Sequence, residues 1–289
     1  MPFKTPGPVR LSFDRAGDHG TPVLLIMGFG MPGRAWMSQV PALSQHHRVG
    51  WFDNRGVGES DAPAGPYTMQ KMAGDAVALL DHLEWEKAHV VGVSMGGMIA
   101  QELALRHRTR VRSLSLIATH AGGWNALLPT WRGLQLFLRA NAASGQDRID
   151  TLSKLLYTDA FRVSAEIAQL HAEMLQNIAS PAAARGRLAQ FAAVARHRTA
   201  GRLARLAGLR TLIIRPEQDL LIRPSESDRL KSLMPHAELR SIANAGHGLI
   251  RECAETVNAA LLEHFCKADL ELGEPARDER AAVETPGHR

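Results

Sequence analysis

Short apolar runs, many of them β-branched, punctuate this chain at 9–13, 22–27, 48–53, 89–93, 111–118, 210–215 and 238–242. Their length, and the Gly, Pro, Asp and Asn residues around them, predict strands. Several are apolar at nearly every position, as strands buried on both faces are. Between them the spacing becomes helical. Over 69–83, Met72, Val77, Leu79, Leu80 and Leu83 share one broad apolar face, and 95–107 and 254–265 repeat the pattern. The alternation predicts an α/β fold, a mostly parallel sheet covered by helices.

That alternation stops between His120 and Arg205. The stretch is rich in Ala, Leu and Arg, keeps helical spacing and offers no strand. It is too long for a plain loop. It predicts a helical insertion at 120–204 in a core built from 1–119 and 205–266, with Gly122, Gly123 and Gly201 as hinges. Past Lys267 the chain turns to Glu, Asp, Arg, Pro and Gly, so the tail 267–289 is expected to be disordered.

With 45% hydrophobic and 22% charged residues over 289 positions, the balance is that of a globular protein. No apolar run exceeds strand length and the N-terminus lacks a signal-like apolar core, so a soluble cytoplasmic protein is expected, without a membrane partner. Cys253 and Cys266 fall on one expected helix, about 20 Å apart, too far to pair. The net charge of +5 comes largely from arginines dense between Arg185 and Arg215. A solvated helical face is the favoured reading. An anionic-substrate or nucleic-acid surface is the rival, and with Phe191 as the one aromatic there, no nucleic-acid partner is expected.

One segment carries chemistry. Gly92-Val93-Ser94-Met95-Gly96 joins a predicted strand to a predicted helix. Such a junction is sharp, and glycines two before and two after the serine relieve the crowding, forming a nucleophile elbow. Ser94 then projects from the C-terminal edge of the sheet, backed by a helix N-terminus that favours an oxyanion. A serine needs a base. Among thirteen histidines, His247 stands out in Gly246-His247-Gly248, just past the last predicted strand. The base needs an acid to fix its tautomer. Asp219 follows the strand at 210–215, with Glu217 as its nearest competitor.

The turn Met27-Gly28-Phe29-Gly30 follows another strand, and the backbone N–H groups of Phe29 and Met95 are the expected oxyanion donors. Asp53-Asn54-Arg55-Gly56-Val57-Gly58 reads as a structural turn held by Asp53 and Arg55, since it completes no phosphate-binding motif. No His/Cys/Asp/Glu cluster has metal-ligand spacing, His46-His47 being an isolated pair, and no cofactor is called for.

These blocks, in this order, closely resemble the α/β-hydrolase superfamily, in its lidded serine esterase, lactonase and haloperoxidase-like branch. The resemblance spans most of residues 9–266 and implies an eight-stranded, mostly parallel sheet with a helical lid after the sixth strand. Two positions depart from the family pattern. Met27 stands where relatives usually carry His, so a hydrogen bond that orders the oxyanion loop in them is absent. Pro216 stands where relatives often carry Gly.

Together the residues point to two-step acyl transfer on a small or medium, mainly apolar ester. Lactone, thioester or C–C cleavage and cofactor-free perhydrolysis remain open on the same residues, and a ligand receptor that kept the fold is the rival from another class. Specificity is expected to lie in the insertion, where Trp124, Leu127, Leu128, Trp131, Leu134, Phe137 and Tyr157, with His120 at a strand end, are candidate pocket residues. The oligomeric state is left open, a homodimer included.

Overall fold

The computed structural model describes residues 3–4, 9–123, 126, 128–178 and 181–273. Its strands are β1 (Phe3–Lys4), β2 (Ser12–Ala16), β3 (Pro22–Ile26), β4 (Arg48–Phe52), β5 (Ala88–Val93), β6 (Val111–Ile117), β7 (Thr211–Pro216) and β8 (Glu238–Ile242). Its helices are α1 (Val40–Leu43), α2 (Met69–His82), α3 (Met95–Arg106), α4 (Trp131–Ala142), α5 (Gly145–Leu156), α6 (Ile167–Ile178), α7 (Pro181–Ala195), α8 (Pro224–Leu233), α9 (Leu249–Glu252) and α10 (Ala254–Glu271).

The strands form one sheet in the order β1-β2-β4-β3-β5-β6-β7-β8. From β4 to β8 every pairing is parallel, while β1 and β2 join antiparallel at one edge. Alternate side chains of the central strands feed two cores, as the period of two requires. Leu24, Ile26 and Val90 pack with Met72 and Leu79 of α2 and Met98 of α3. Val23, Leu25 and Val91 pack on the other face with Leu43 of α1 and Val257, Leu261 and Phe265 of α10. Among the described residues, no helix is long and apolar enough to cross a membrane.

Two expected boundaries move. The strand expected from 9 is β2 and begins at Ser12, three residues later, because Arg10 is engaged elsewhere: its backbone N–H and guanidinium donate to Asp61. At the other end the chain does not become disordered at Lys267, since α10 continues to Glu271. Asp269 is the reason. It is buried, accepts from the Thr21 hydroxyl at 2.9 Å and pairs with His89 and Arg112 at 3.1 Å each. The remainder of the expected tail, 274–289, lies outside the described residues.

Between β6 and β7 the chain leaves the sheet for α4 to α7. Ile149, Phe161, Leu170 and Met174 give these helices a small core of their own.

Buried histidines make the fold acid-sensitive. Burial first, and neighbouring positive charge after it, lowers His47 to about 4 and His120, His197 and His264 to about 3. In the unfolded chain each titrates near 6.5. Below that pH the unfolded state binds protons that the folded state refuses, so stability is fully present above pH 6.5 and is lost as pH falls toward 4. With roughly 1.4 kcal/mol per pH unit for each group, several kcal/mol should be gone by pH 5. The urea midpoint should be level from pH 7 to 8 and fall steeply below 6.5; equal midpoints at pH 7 and pH 5 would contradict this.

Candidate active site

Ser94 sits between β5 and α3 with φ of 55° and ψ of −122°, a strained conformation for a residue with a side chain. The strain is held by its backbone. Its N–H donates to Ile117 O at 2.9 Å, and its C=O accepts from Gly97 N–H and from the Thr119 hydroxyl at 2.7 Å. A Cβ at Gly92 would run into the Gly96 carbonyl, and one at Gly96 into the Ile26 carbonyl. Both elbow glycines are therefore required by close backbone approach.

Three sheet-edge loops bring the predicted residues together. His247 Nε2 lies 3.0 Å from Ser94 Oγ, and His247 Nδ1 lies 2.7 Å from Asp219 Oδ2. A carboxylate only accepts, so Nδ1 carries the ring proton and Nε2 is left to accept from the hydroxyl. The other carboxylate oxygen, Oδ1, accepts the N–H groups of Leu221 and Ile222 at 2.8 and 2.9 Å. Asp219 and His247 are both buried. Glu217, the competitor, instead pairs at the surface with Arg215 at 3.2 Å.

The glycine after His247 has a purpose the sequence does not reveal. Gly248 donates its N–H to Leu156 O at the end of α5, and the Tyr157 ring lies where a Cβ would be. The inserted helices thus seat directly on the histidine loop. Glu252, in α9, steadies that loop by accepting from Gly246 N–H at 2.8 Å.

Phe29 and Met95 present backbone N–H groups that have no acceptor among the described residues, Met95 at the first position of α3, where an intrahelical partner is lacking. Gly28, beside Phe29, lies against Ser94 Cβ. The loop is ordered despite Met27. Asn54 Nδ2 donates to Met27 O at 2.8 Å, Gln190 of α7 accepts from Gly30 N–H at 2.9 Å, and Asp53 accepts from Gly33 N–H at 2.7 Å. Asp53 also accepts from Glu59 N–H at 3.0 Å, while Arg55 reaches away to Asp75 through two 2.6 Å contacts. Asn54 and Gln190 were not among the predicted site residues. Asn54 stands inside the quoted block, but Gln190 has no local signal.

The candidate pocket residues separate. Trp124 and Leu127 lie outside the described residues. Trp131, at the first position of α4, is 74% exposed and Leu128 55%, which makes them solvent-facing rather than walls of an enclosed pocket. His120 is buried, and its Nδ1 accepts from Gly122 N–H at 3.0 Å, which braces the turn into the insertion. Tyr157 stands against the histidine loop and stacks on Phe161.

Metal ligands absent from the sequence pattern do meet in space. His47, His89 and Asp269 offer ligand atoms within 4.8 Å of one another. They lie at the N-terminal edge of the sheet, opposite Ser94, and the Thr21 hydroxyl already bonds all three at 2.9–3.1 Å. Hydrogen bonding accounts for the cluster, which ties α10 to the sheet.

The protein family described as alpha/beta hydrolase fold matches residues 21–252. A Caulobacter vibrioides protein named "Putative carbamate hydrolase RutD" is 32% identical over 252 residues, 84% of this chain and 92% of that protein. Among solved structures, a meta-cleavage product hydrolase from Pseudomonas fluorescens IP01 (CumD) has a TM-score of 0.78 and 27% identity, covering 90% of this chain and 95% of its own. A thermophilic esterase from Thermogutta terrifontis has a TM-score of 0.77 and 26% identity, covering 93% of this chain and 99% of its own.

Proposed function

The chain belongs to the alpha/beta hydrolase fold family, and on that premise we propose that it is a serine hydrolase cleaving a carboxylic ester through an acyl-enzyme. The observation that carries this reading is the unbroken chain Asp219–His247–Ser94, at 2.7 and 3.0 Å.

In this reading Ser94 Oγ attacks the carbonyl carbon as His247 Nε2 takes the hydroxyl proton. Asp219 stabilises the resulting imidazolium and holds the ring in place. The N–H groups of Phe29 and Met95 receive the oxyanion as the tetrahedral intermediate forms. His247 then protonates the leaving alcohol, and the ester oxygen departs. Water, deprotonated by the same nitrogen, attacks the acyl group and frees Ser94. Residues 120–204 act as a lid. Its contacts to the oxyanion loop through Gln190, and to the histidine loop through Leu156, support that role.

The ester reading is tested against the bonds named in the relatives. On a panel of p-nitrophenyl esters, lactones, thioesters and carbamates, p-nitrophenyl acetate should be turned over with the highest kcat/KM. An enzyme silent on every ester while cleaving a carbamate would overturn the ester assignment.

A further inference from the structure

Two glycines flank His247, and glycine leaves the backbone on either side of the imidazole free to turn. Hydrogen bonds have to supply the restraint that side chains do not. Gly246 N–H donates to Glu252 Oε2 at 2.8 Å, and Gly248 N–H donates to Leu156 O at 2.8 Å. The second bond comes directly from the inserted helices. The first reaches them through one carboxylate. Glu252 Oε1 accepts from Thr158 N–H at 3.1 Å and from the Thr158 hydroxyl. Helical side chains lean toward the N-terminus, so Glu252, the last residue of α9, turns back over the loop that opens the helix.

The inserted helices press on both glycines. A Cβ at Gly246 would meet Leu156 O and Tyr157 Cα, and one at Gly248 would meet the Tyr157 ring. Tyr157 stacks in turn on Phe161, which packs with Ile149, Leu170 and Met174 in the insertion's own core. The Thr158 hydroxyl oxygen also accepts from Phe161 N–H at 3.4 Å. On the core side, Ala245 O accepts from Gln218 N–H at 2.9 Å, which joins the histidine loop to the acid loop. Both oxygens of the Glu252 carboxylate are thus engaged, one on each side of the joint between the insertion and the histidine loop.

We propose that Glu252 is a positioning residue for His247, which makes the catalytic base depend on a seated lid. When Thr158 leaves the carboxylate, Gly246 loses its restraint and the imidazole drifts from Ser94 Oγ. The proposal rests on the serine-hydrolase reading, in which His247 is the base. Glu252 acts through the main chain of Gly246, and a displacement of about 1 Å at a base costs up to about 10^2-fold in rate. Glutamine cannot keep both bonds, since its NH2 must face an N–H donor, either that of Gly246 or that of Thr158.

Glu252→Gln should lower kcat for p-nitrophenyl acetate by about 10- to 100-fold with KM changed less than about 3-fold, and should slow fluorophosphonate labelling of Ser94 by the same factor. Thr158→Val, which loses only the hydroxyl and stands in if Glu252→Gln does not fold, should cost about 5- to 10-fold. Thr158→Ser should keep the wild-type rate, and the double variant should be no slower than Glu252→Gln. Proton NMR gives a readout independent of turnover. The downfield resonance of His247 Nδ1–H, held on Asp219, should stand sharp in wild type and Thr158→Ser, and should broaden or vanish in Glu252→Gln. A resonance and labelling rate unchanged from wild type, or losses in the two single variants that simply multiply in the double, would overturn the proposal, whatever happens to the thermal midpoint. If wild-type Ser94 resists the probe, the proposed function fails, and the resonance still decides whether Glu252 holds His247.

Discussion

Replacing Ser94 with alanine should lower kcat for p-nitrophenyl acetate by roughly 10^6-fold while leaving the thermal midpoint nearly unchanged. A loss this large follows from the proposed mechanism, in which the hydroxyl is the attacking atom. What should survive is the residual rate that an oxyanion hole and substrate binding give by themselves, roughly 10^3-fold over water. The fold should survive too. The bonds that hold residue 94 in its strained conformation are made by its own main chain: its N–H to Ile117 O, and its C=O to Gly97 N–H and the Thr119 hydroxyl. Alanine keeps all three bonds. Stopped-flow and steady-state assays beside a thermal melt would check both halves. A loss below about 10-fold would remove Ser94 from the chemistry.

Asp219→Asn should cost about 10^4-fold in kcat, and the hydrogen bonds around the carboxylate explain why. Oδ1 accepts from Leu221 and Ile222, so the asparagine carbonyl is drawn to that side. Its NH2 must then face His247 Nδ1, which can only accept from it. The ring proton moves to Nε2 and points at Ser94 Oγ, where an acceptor is needed. The opposite rotamer returns an acceptor to His247 but sets the NH2 against two N–H donors in a buried site, a costly arrangement. The surface variant Glu217→Gln is the control and should retain wild-type kcat. Equal losses in the two variants would show that the carboxylate beside His247 has no special role.

The sequence shows the main line of this site because its chemistry is local to each loop. A serine between two glycines, after an apolar run and before a helix, can be read in nine residues. The order of Ser94, Asp219 and His247 after successive strands adds the rest. What stayed hidden depends on partners far along the chain. Asn54 holds the 27–30 loop through a carbonyl 27 residues away, and Gln190 does so from an inserted helix. Neither contact leaves a periodic trace. The same holds for Asp269, whose partners Thr21, His89 and Arg112 extend α10 past the point where composition turns polar. Within the arginine stretch, Arg202, Arg210 and Arg215 pair with Glu102, Glu271 and Asp228.

Labelling with a fluorophosphonate tests the central claim most directly, because the reagent reports an activated serine without assuming a substrate. The account predicts one equivalent of phosphonyl adduct per chain. Mass spectrometry should locate it on Ser94, activity should be lost in step with labelling, and no adduct should form on Ser94→Ala. Ester hydrolysis that continues with Ser94 unlabelled, or an adduct formed on another residue with the same loss of activity, would contradict it.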